Sequence, residues 1–254
     1  MNTSLGNRGY TILKEELNSK ELFSLRADLT VKPFVSQDYG AQAVPFPVYC
    51  ESKRKLYLPR YFGIKRFGKP LINKINDGEK VTMEFPLKLK PKQEPIAEAF
   101  LKAAHDTGGG IISVPCGYGK TVIGLYLASK LGVKTLVVVH KEFLVNQWKE
   151  RIAQFLPYAR IGRLQGNKIY VEGYDIVIGM LQSISMKEYP EDLFNDFGFV
   201  IYDECHHLGA ETFSRALLKT VCKYTLGLSA TPTRADGLTK VFQWHLGDMV
   251  YKIN

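Results

Sequence analysis

The stretch Val114-Pro115-Cys116-Gly117-Tyr118-Gly119-Lys120-Thr121 holds two glycines, a lysine and a threonine at a spacing suited to phosphate chemistry. Gly117 and Gly119 let the main chain curl until successive N–H groups point inward at phosphate oxygens. A helix that starts at this loop adds the positive end of its dipole. Lys120 can then meet the β- and γ-phosphates of ATP, and the Thr121 hydroxyl can ligate Mg2+. Tyr118 lies between the glycines on the same loop. The first glycine of the strict G-x-x-x-x-G-K-T pattern is absent, its place taken by Val114.

A second group, Asp203-Glu204-Cys205-His206, follows the apolar run Phe199–Tyr202 and comes 83 residues after Lys120. Adjacent acids at the end of a strand stand at the carboxyl edge of a sheet, where ligands of open α/β folds bind. There Asp203 holds Mg2+, directly or through water, and Glu204 orients and deprotonates an attacking water. Taken alone, two acids after a strand also describe an exposed loop; the glycine loop upstream gives them a partner. Ser229-Ala230-Thr231-Pro232 ends another apolar run. The hydroxyls of Ser229 and Thr231 either couple the acids to a neighbouring lobe or form an ordinary cap or turn. His206 is a candidate for the same coupling, or a plain loop residue.

These groups need a sheet to bring them together, and the chain from residue 93 onward supplies one. Gln93–Ala104 has a helical pattern, Ile111–Val114 reads as a buried strand, and a helix follows the glycine loop to about Leu131. Thr135–Val139 is a strand, Phe143–Phe155 a helix, and Asp175–Gly179, Phe199–Tyr202 and Tyr224–Leu228 are strands. Apolar, largely β-branched runs alternating with helices predict an α/β fold with a parallel sheet covered on both faces. Before residue 90 the text differs. Leu29–Val31, Val48–Cys50, Leu56–Leu58 and Val81–Phe85 are short apolar runs among prolines and glycines. With a short helix around Lys14–Arg26, they predict a small β-rich or α+β domain.

The chain has 254 residues, 45% hydrophobic and 23% charged, with no apolar run near the roughly 20 residues of a membrane helix. Four scattered cysteines form no metal-type pair, and an intracellular, reducing location is expected. The net charge is +9, and residues 1–92 carry 17 lysines and arginines against 9 acids, a net of +8. A positive field concentrated in one third of the chain fits either an anionic partner, nucleic acid above all, or a solvated basic surface. Lys53, Arg54, Lys55, Arg60, Lys65, Arg66 and Lys69 are interleaved with Tyr57, Tyr61, Phe62 and Phe67. Such aromatics either stack on bases or fill a small core.

Together these stretches resemble superfamily 2 helicases of the DExH type. Gly117-x-Gly119-Lys120-Thr121, Asp203-Glu204-Cys205-His206 and Ser229-Ala230-Thr231 are similar to motifs I, II and III. Leu89-Lys90-Pro91-Lys92-Gln93 resembles the L-R-x-Y-Q segment, which implies that Gln93 reads adenine; the usual tyrosine is Lys92 here. Val139-His140-Lys141 through Trp148 resembles motif Ia, and Gly179–Ser183 the next nucleic-acid motif, implying backbone contacts by Lys141, Gln182 and Ser183. The stretches Pro115–Lys120 and Thr231–Gly237 look like the branch with XPB-type repair helicases, UvsW-like phage helicases and helicases of large DNA viruses. The resemblance implies a RecA-like lobe over 89–254, a basic accessory domain over 1–88 that binds DNA, ATP and Mg2+ as cofactors, and DNA rather than RNA as partner.

Only 23 residues follow Thr231, against the roughly 100–150 that a second lobe needs. In the family that lobe carries the arginine fingers, so this chain reads as the first part of a motor, poorly active alone. Three other readings share the motifs: an RNA helicase, a nucleic-acid-binding module switched by nucleotide, and the motor subunit of a restriction enzyme.

Overall fold

Strand β1 (Thr3–Gly6) pairs antiparallel with β2 (Gly9–Leu13), and the tight turn between them is completed by Gly9 at φ 92°. The expected helix at Lys14–Arg26 divides into a 3-10 turn, Lys14–Glu16, and α1 (Ser19–Asp28). Asn18 starts α1 through a reciprocal capping box with Glu21. Then come β3 (Thr30–Val31), β4 (Phe46–Pro47), β5 (Cys50–Glu51), β6 (Lys55–Leu58), α2 (Arg60–Phe67) and β7 (Ile72–Asn73). Five strands form a sheet in the order β5-β6-β2-β1-β7. Helix α2 lies where prolines and glycines predicted turns. Pro59 instead precedes its first turn, and Gly68 stops it at φ 84°. Gly63 lets it sit on β2, since a Cβ there would come within 2.2 Å of the Tyr10 ring. The computed structural model describes residues 1–32, 44–190, 192–204, 210–231 and 238–253.

The second unit opens with α3 (Glu94–Asp106), β8 (Gly109–Ser113), α4 (Lys120–Leu131), β9 (Thr135–Val139) and α5 (Glu142–Phe155). A hairpin of β10 (Ile161–Gln165) and β11 (Lys168–Tyr170) leads to β12 (Ile176–Met180) and α6 (Leu181–Met186). The chain continues through β13 (Phe199–Tyr202), α7 (Ala210–Lys219), β14 (Tyr224–Ser229), α8 (Thr239–Leu246) and β15 (Met249–Lys252). The sheet order is β11-β10-β12-β9-β13-β14-β8-β15, parallel except for β11. Every residue of β8, β9, β12 and β13 is buried, as continuous apolar strands covered on both faces require. One core joins Phe100, Ile123 and Trp148 of α3, α4 and α5 to the sheet; the other joins Leu181, Phe213 and Phe242 of α6, α7 and α8.

Val81–Phe85 is not a strand, a correction to the sequence expectation. Its alternation serves burial without a ladder: Met83 is buried, and Val81 and Phe85 pack beside it on the α3–α5 core. Nearby, an isolated bridge joins Lys80 to Val133. In the other direction, Leu238 and Val241 of the α8 segment complete the core of the N-terminal sheet. Helix α8 packs against α2, with Phe62 edge-on to Trp244 at 5.2 Å. The Tyr61 hydroxyl meets Thr225 Oγ1 at 2.8 Å. No helix among the described residues is long and apolar enough to cross a membrane.

Candidate nucleotide site and nucleic-acid face

The chain leaves β8 through the glycine loop and returns at β9, three strand positions away, leaving room for two strands that β13 and β14 later fill. This order puts the ends of β8, β14, β13 and β9 side by side at one carboxyl edge. Ser113 pairs with Ser229, Leu226 with Ile201, and Tyr202 with Val138. The glycine loop, the acid pair and the Ser-Ala-Thr stretch therefore share an edge although they are far apart in sequence.

The loop has the shape its residues predict. Gly117 and Gly119 take φ values of 84° and 78°, and Gly119 is the residue before α4 with no side chain capping the helix. The first N–H groups of α4 are thus left for an anion. A Cβ at Gly117 would meet nothing within 4 Å, so the loop has open space in front of it. A Cβ at Gly119 would come within 2.5 Å of Gln93 Nε2. Lys120 is 9% exposed, with Nζ 3.3 Å from Glu204 Oε1 and 3.5 Å from the Val114 carbonyl. Thr121 is half-buried in the first turn of α4.

Gln93 is buried and holds the loop. Its Oε1 accepts from the Lys90 N–H at 3.0 Å, and its Nε2 donates to the Tyr118 carbonyl at 2.9 Å. Lys92, where the family's tyrosine stands, places its ammonium 4.5 Å from the centre of the Tyr118 ring. The aromatic ring beside Gln93 thus comes from the loop itself.

Asp203 is 4% exposed and accepts a hydrogen bond from the indole Nε1–H of Trp148 at 2.7 Å. Burial pushes its carboxyl up to about 6, opposed by the Trp148 bond, with the Glu204 charge raising it further and Lys120 lowering it. Glu204 takes a left-handed backbone, φ 50°, unusual for a residue with a side chain and a form of strain found at functional sites. Sequence reading placed Trp148 in motif Ia and missed this contact. The signal was there: Trp148 shares the inner face of α5 with Leu144, Val145 and Ile152, and a buried indole N–H needs an acceptor.

Ser229 is buried, and its hydroxyl closes a local turn, accepting from the Thr231 N–H and donating to the Thr231 carbonyl. Thr231 is exposed. His206 lies outside the described residues, as does Pro232–Gly237, so the coupling expected of His206 has no geometry to weigh.

The nucleic-acid candidates stand at the ends of β9 and β12. Lys141 is exposed, its ammonium 6.0 Å from the centre of the Phe143 ring, and Phe143 is itself exposed. Gln182 Nε2 donates to the His140 carbonyl at 3.1 Å, tying the start of α6 to the segment after β9. The Ser183 hydroxyl accepts from the Gly166 N–H at 2.9 Å. The β10–β11 hairpin carries a second tie that the sequence did not reveal. Arg163 grips both oxygens of Glu142 at 2.8 and 2.7 Å, and Gln165 donates to the same carboxylate.

Comparison with known proteins gives the chain a family and relatives. The chain matches the family described as Type III restriction enzyme, res subunit, over residues 86–234. It is similar to protein L396 of Acanthamoeba polyphaga mimivirus, whose name classes it provisionally with ATP-dependent RNA helicases, at 34% identity over 98% of this chain and 49% of the relative. It is 35% identical to DNA 3'-5' translocase XPB2 of Sulfurisphaera tokodaii over 67% of this chain and 38% of the relative. The fold is similar to the crystal structure of the UvsW helicase from bacteriophage T4, with a TM-score of 0.65 at 16% identity over 99% of this chain and all of that one. The chain spans about half the length of the first of these relatives and less of the second.

Proposed function

Since the chain belongs to the Type III restriction enzyme res-subunit family, within the superfamily 2 helicases, we propose that it is the nucleotide-binding part of an ATP-driven motor that moves on DNA. One observation carries this reading: Lys120 Nζ stands 3.3 Å from Glu204 Oε1, beside buried Asp203, at the mouth of a glycine loop. In this reading the lysine meets phosphate, Glu204 serves as base and Asp203 takes the metal, all at one sheet edge.

The residues fit ATP with Mg2+. The open loop with uncapped α4 N–H groups and Lys120 suit the phosphates. Thr121 and Asp203 are oxygen donors of the kind Mg2+ takes. When bound, the cation supplies charge neutralisation at the phosphates and favours the ionised form of Asp203. Trp148 holds that carboxylate in place through its N–H. Glu204 is the group placed to take a proton from water, and Lys120 exchanges its contact with Glu204 for one with phosphate. Gln93, bonded to the Tyr118 carbonyl, links the loop to the start of α3, where the family reads adenine.

Lys141, Gln182 and Ser183 grip the sugar-phosphate backbone in this reading, so sequence preference is weak. The Ser183 hydroxyl accepts from the Gly166 N–H at the start of α6. A second lobe completes the cycle, closing on ATP and opening after hydrolysis. DNA is favoured by the basic N-terminal third and by the relative named as a DNA translocase. RNA is the second reading, because the relative matched over nearly the whole chain carries an RNA helicase name. The deciding experiment is ATPase stimulation of the full-length protein by matched DNA and RNA oligomers. Stronger stimulation by DNA is expected; stimulation by RNA alone would overturn the assignment.

A further inference from the structure

A cleft of about 1010 Å3 opens between the N-terminal unit and the RecA-like lobe, away from the nucleotide site. It reaches the starts of β8 and β15 at Gly109 and Asp248, the amino edge of the parallel sheet, whereas the glycine loop stands at the carboxyl edge. Its walls come from both units. Helix α2 and the segment after it supply Arg60, Lys65 and Lys69; the end of α3 and the start of β14 supply Lys102 and Lys223. Two carboxylates, Asp106 and Asp248, line it against these five cations.

The cations differ in how they are held. Lys65 pairs with Asp248 across the cleft at 2.8 Å, and Lys223 turns to Asp77 at 2.6 Å. Arg60 donates to the carbonyls of Cys222, Lys223 and Thr107 at 2.8 to 3.1 Å. Those carbonyls fix the guanidinium without neutralising it, so its charge stays in the cleft wall. Lys69 and Lys102 are exposed, one on each wall, and neither forms an ion pair among the described residues. Half-buried Tyr224 adds apolar surface between the charges, while Tyr61 is buried behind the wall.

We propose that this cleft holds a length of nucleic-acid sugar-phosphate backbone, with phosphates meeting Lys69 and Lys102 from opposite sides. Opposed cations on two walls suit a ligand that carries repeated negative charge and bridges the units. The proposal rests on the reading that this protein acts on nucleic acid, and it adds a second place of contact remote from Lys141.

The test is the salt dependence of binding to a fluorescein-labelled duplex, measured by anisotropy on the full-length protein. Lys69→Glu with Lys102→Glu is expected to weaken binding and to make the log–log salt slope shallower by about 1.8, the release associated with two phosphate contacts. Lys20→Glu with Lys149→Glu changes net charge equally at exposed sites outside the cleft, and its slope is expected to stay near that of the parent. Thermal melting and ATP binding are expected to be unchanged in both. Equal losses in the two double variants would overturn the cleft, as would parental binding by the Lys69, Lys102 variant while Lys141→Glu loses affinity. If the parent binds no nucleic acid, the cleft and the functional reading fall together; parental binding with an indifferent cleft variant removes the cleft alone.

Discussion

Lys120 and Glu204, 84 positions apart in sequence, form an ion pair of 3.3 Å with both side chains largely withdrawn from water. The lysine proposed to bind phosphate and the acid proposed to activate water are each other's partner here. Replacing Glu204 with Gln removes the base and frees the lysine. Hydrolysis in the full-length protein is expected to fall by about 10²–10⁴-fold, the usual range for a general base. Binding of a fluorescent ATP analogue is expected to hold or tighten. Parental turnover in the Gln variant would take Glu204 out of the chemistry.

Trp148 gives Asp203 its hydrogen bond. Trp148→Phe keeps most of the packing and removes the N–H, leaving a buried carboxylate with one donor fewer. A loss of about 1–3 kcal/mol in urea unfolding is expected. Asp203→Ala, which removes the acceptor, measured alone and combined with Trp148→Phe, gives the coupling between the two side chains. Strict additivity in that cycle would show that the bond contributes nothing.

Gly119 and Gly117 have similar backbones and different surroundings. Alanine at either pays for a left-handed conformation, about 1–2 kcal/mol. At Gly119 the new Cβ also meets Gln93 Nε2 at 2.5 Å, whereas at Gly117 it meets nothing within 4 Å. Gly119→Ala is therefore expected to weaken ATP binding more than Gly117→Ala, and Gln93→Ala in the Gly119→Ala background to recover part of the deficit. Calorimetric titration of ATP distinguishes the cases; equal affinities for the two alanine variants would contradict the contact.

His245 is buried in α8, and loss of hydration pushes its pKa down to about 3 from an ordinary 6.5. Unfolded chain therefore takes up a proton near pH 6.5 that folded chain refuses until about pH 3. The stability this group contributes is complete above pH 6.5 and is lost progressively as pH falls through that window. At pH 5 the loss is about 2 kcal/mol. Urea unfolding at pH 7.5 and 5.0 should show a smaller difference for His245→Gln than for the parent. The same pH dependence in both would assign the effect to other groups.

The parts of the fold that were legible in sequence are those where burial on both faces forces uniform chemistry. Thr135–Val139 and Phe199–Tyr202 have the bounds read from sequence, because covering on both faces leaves them apolar throughout except at Thr135. The shared sheet edge of the glycine loop, the acid pair and Ser229 was legible because each follows an apolar strand. Helix α2 was hidden because Pro59, Gly63 and Gly68 are turn residues by habit, and only the contact with Tyr10 explains Gly63 inside a helix. The β10–β11 hairpin was hidden for another reason. Arg163 and Gln165 look like surface residues until Glu142, more than 20 positions earlier, is seen between them. Val81–Phe85 misled because strict alternation also fits an extended segment lying across a core.

The exchange of side chains between the two units sets a limit on how this protein can be rebuilt. Leu238 and Val241 sit in the N-terminal core, while Met83 sits in the core of the parallel sheet. A cassette cut at residue 88 and grafted onto another ATPase would carry an unfilled socket, and the remainder would display greasy, orphaned flanks. Shuffling at this seam must move α8 along with the head of the chain, so inheritance of the two modules is expected to be joint.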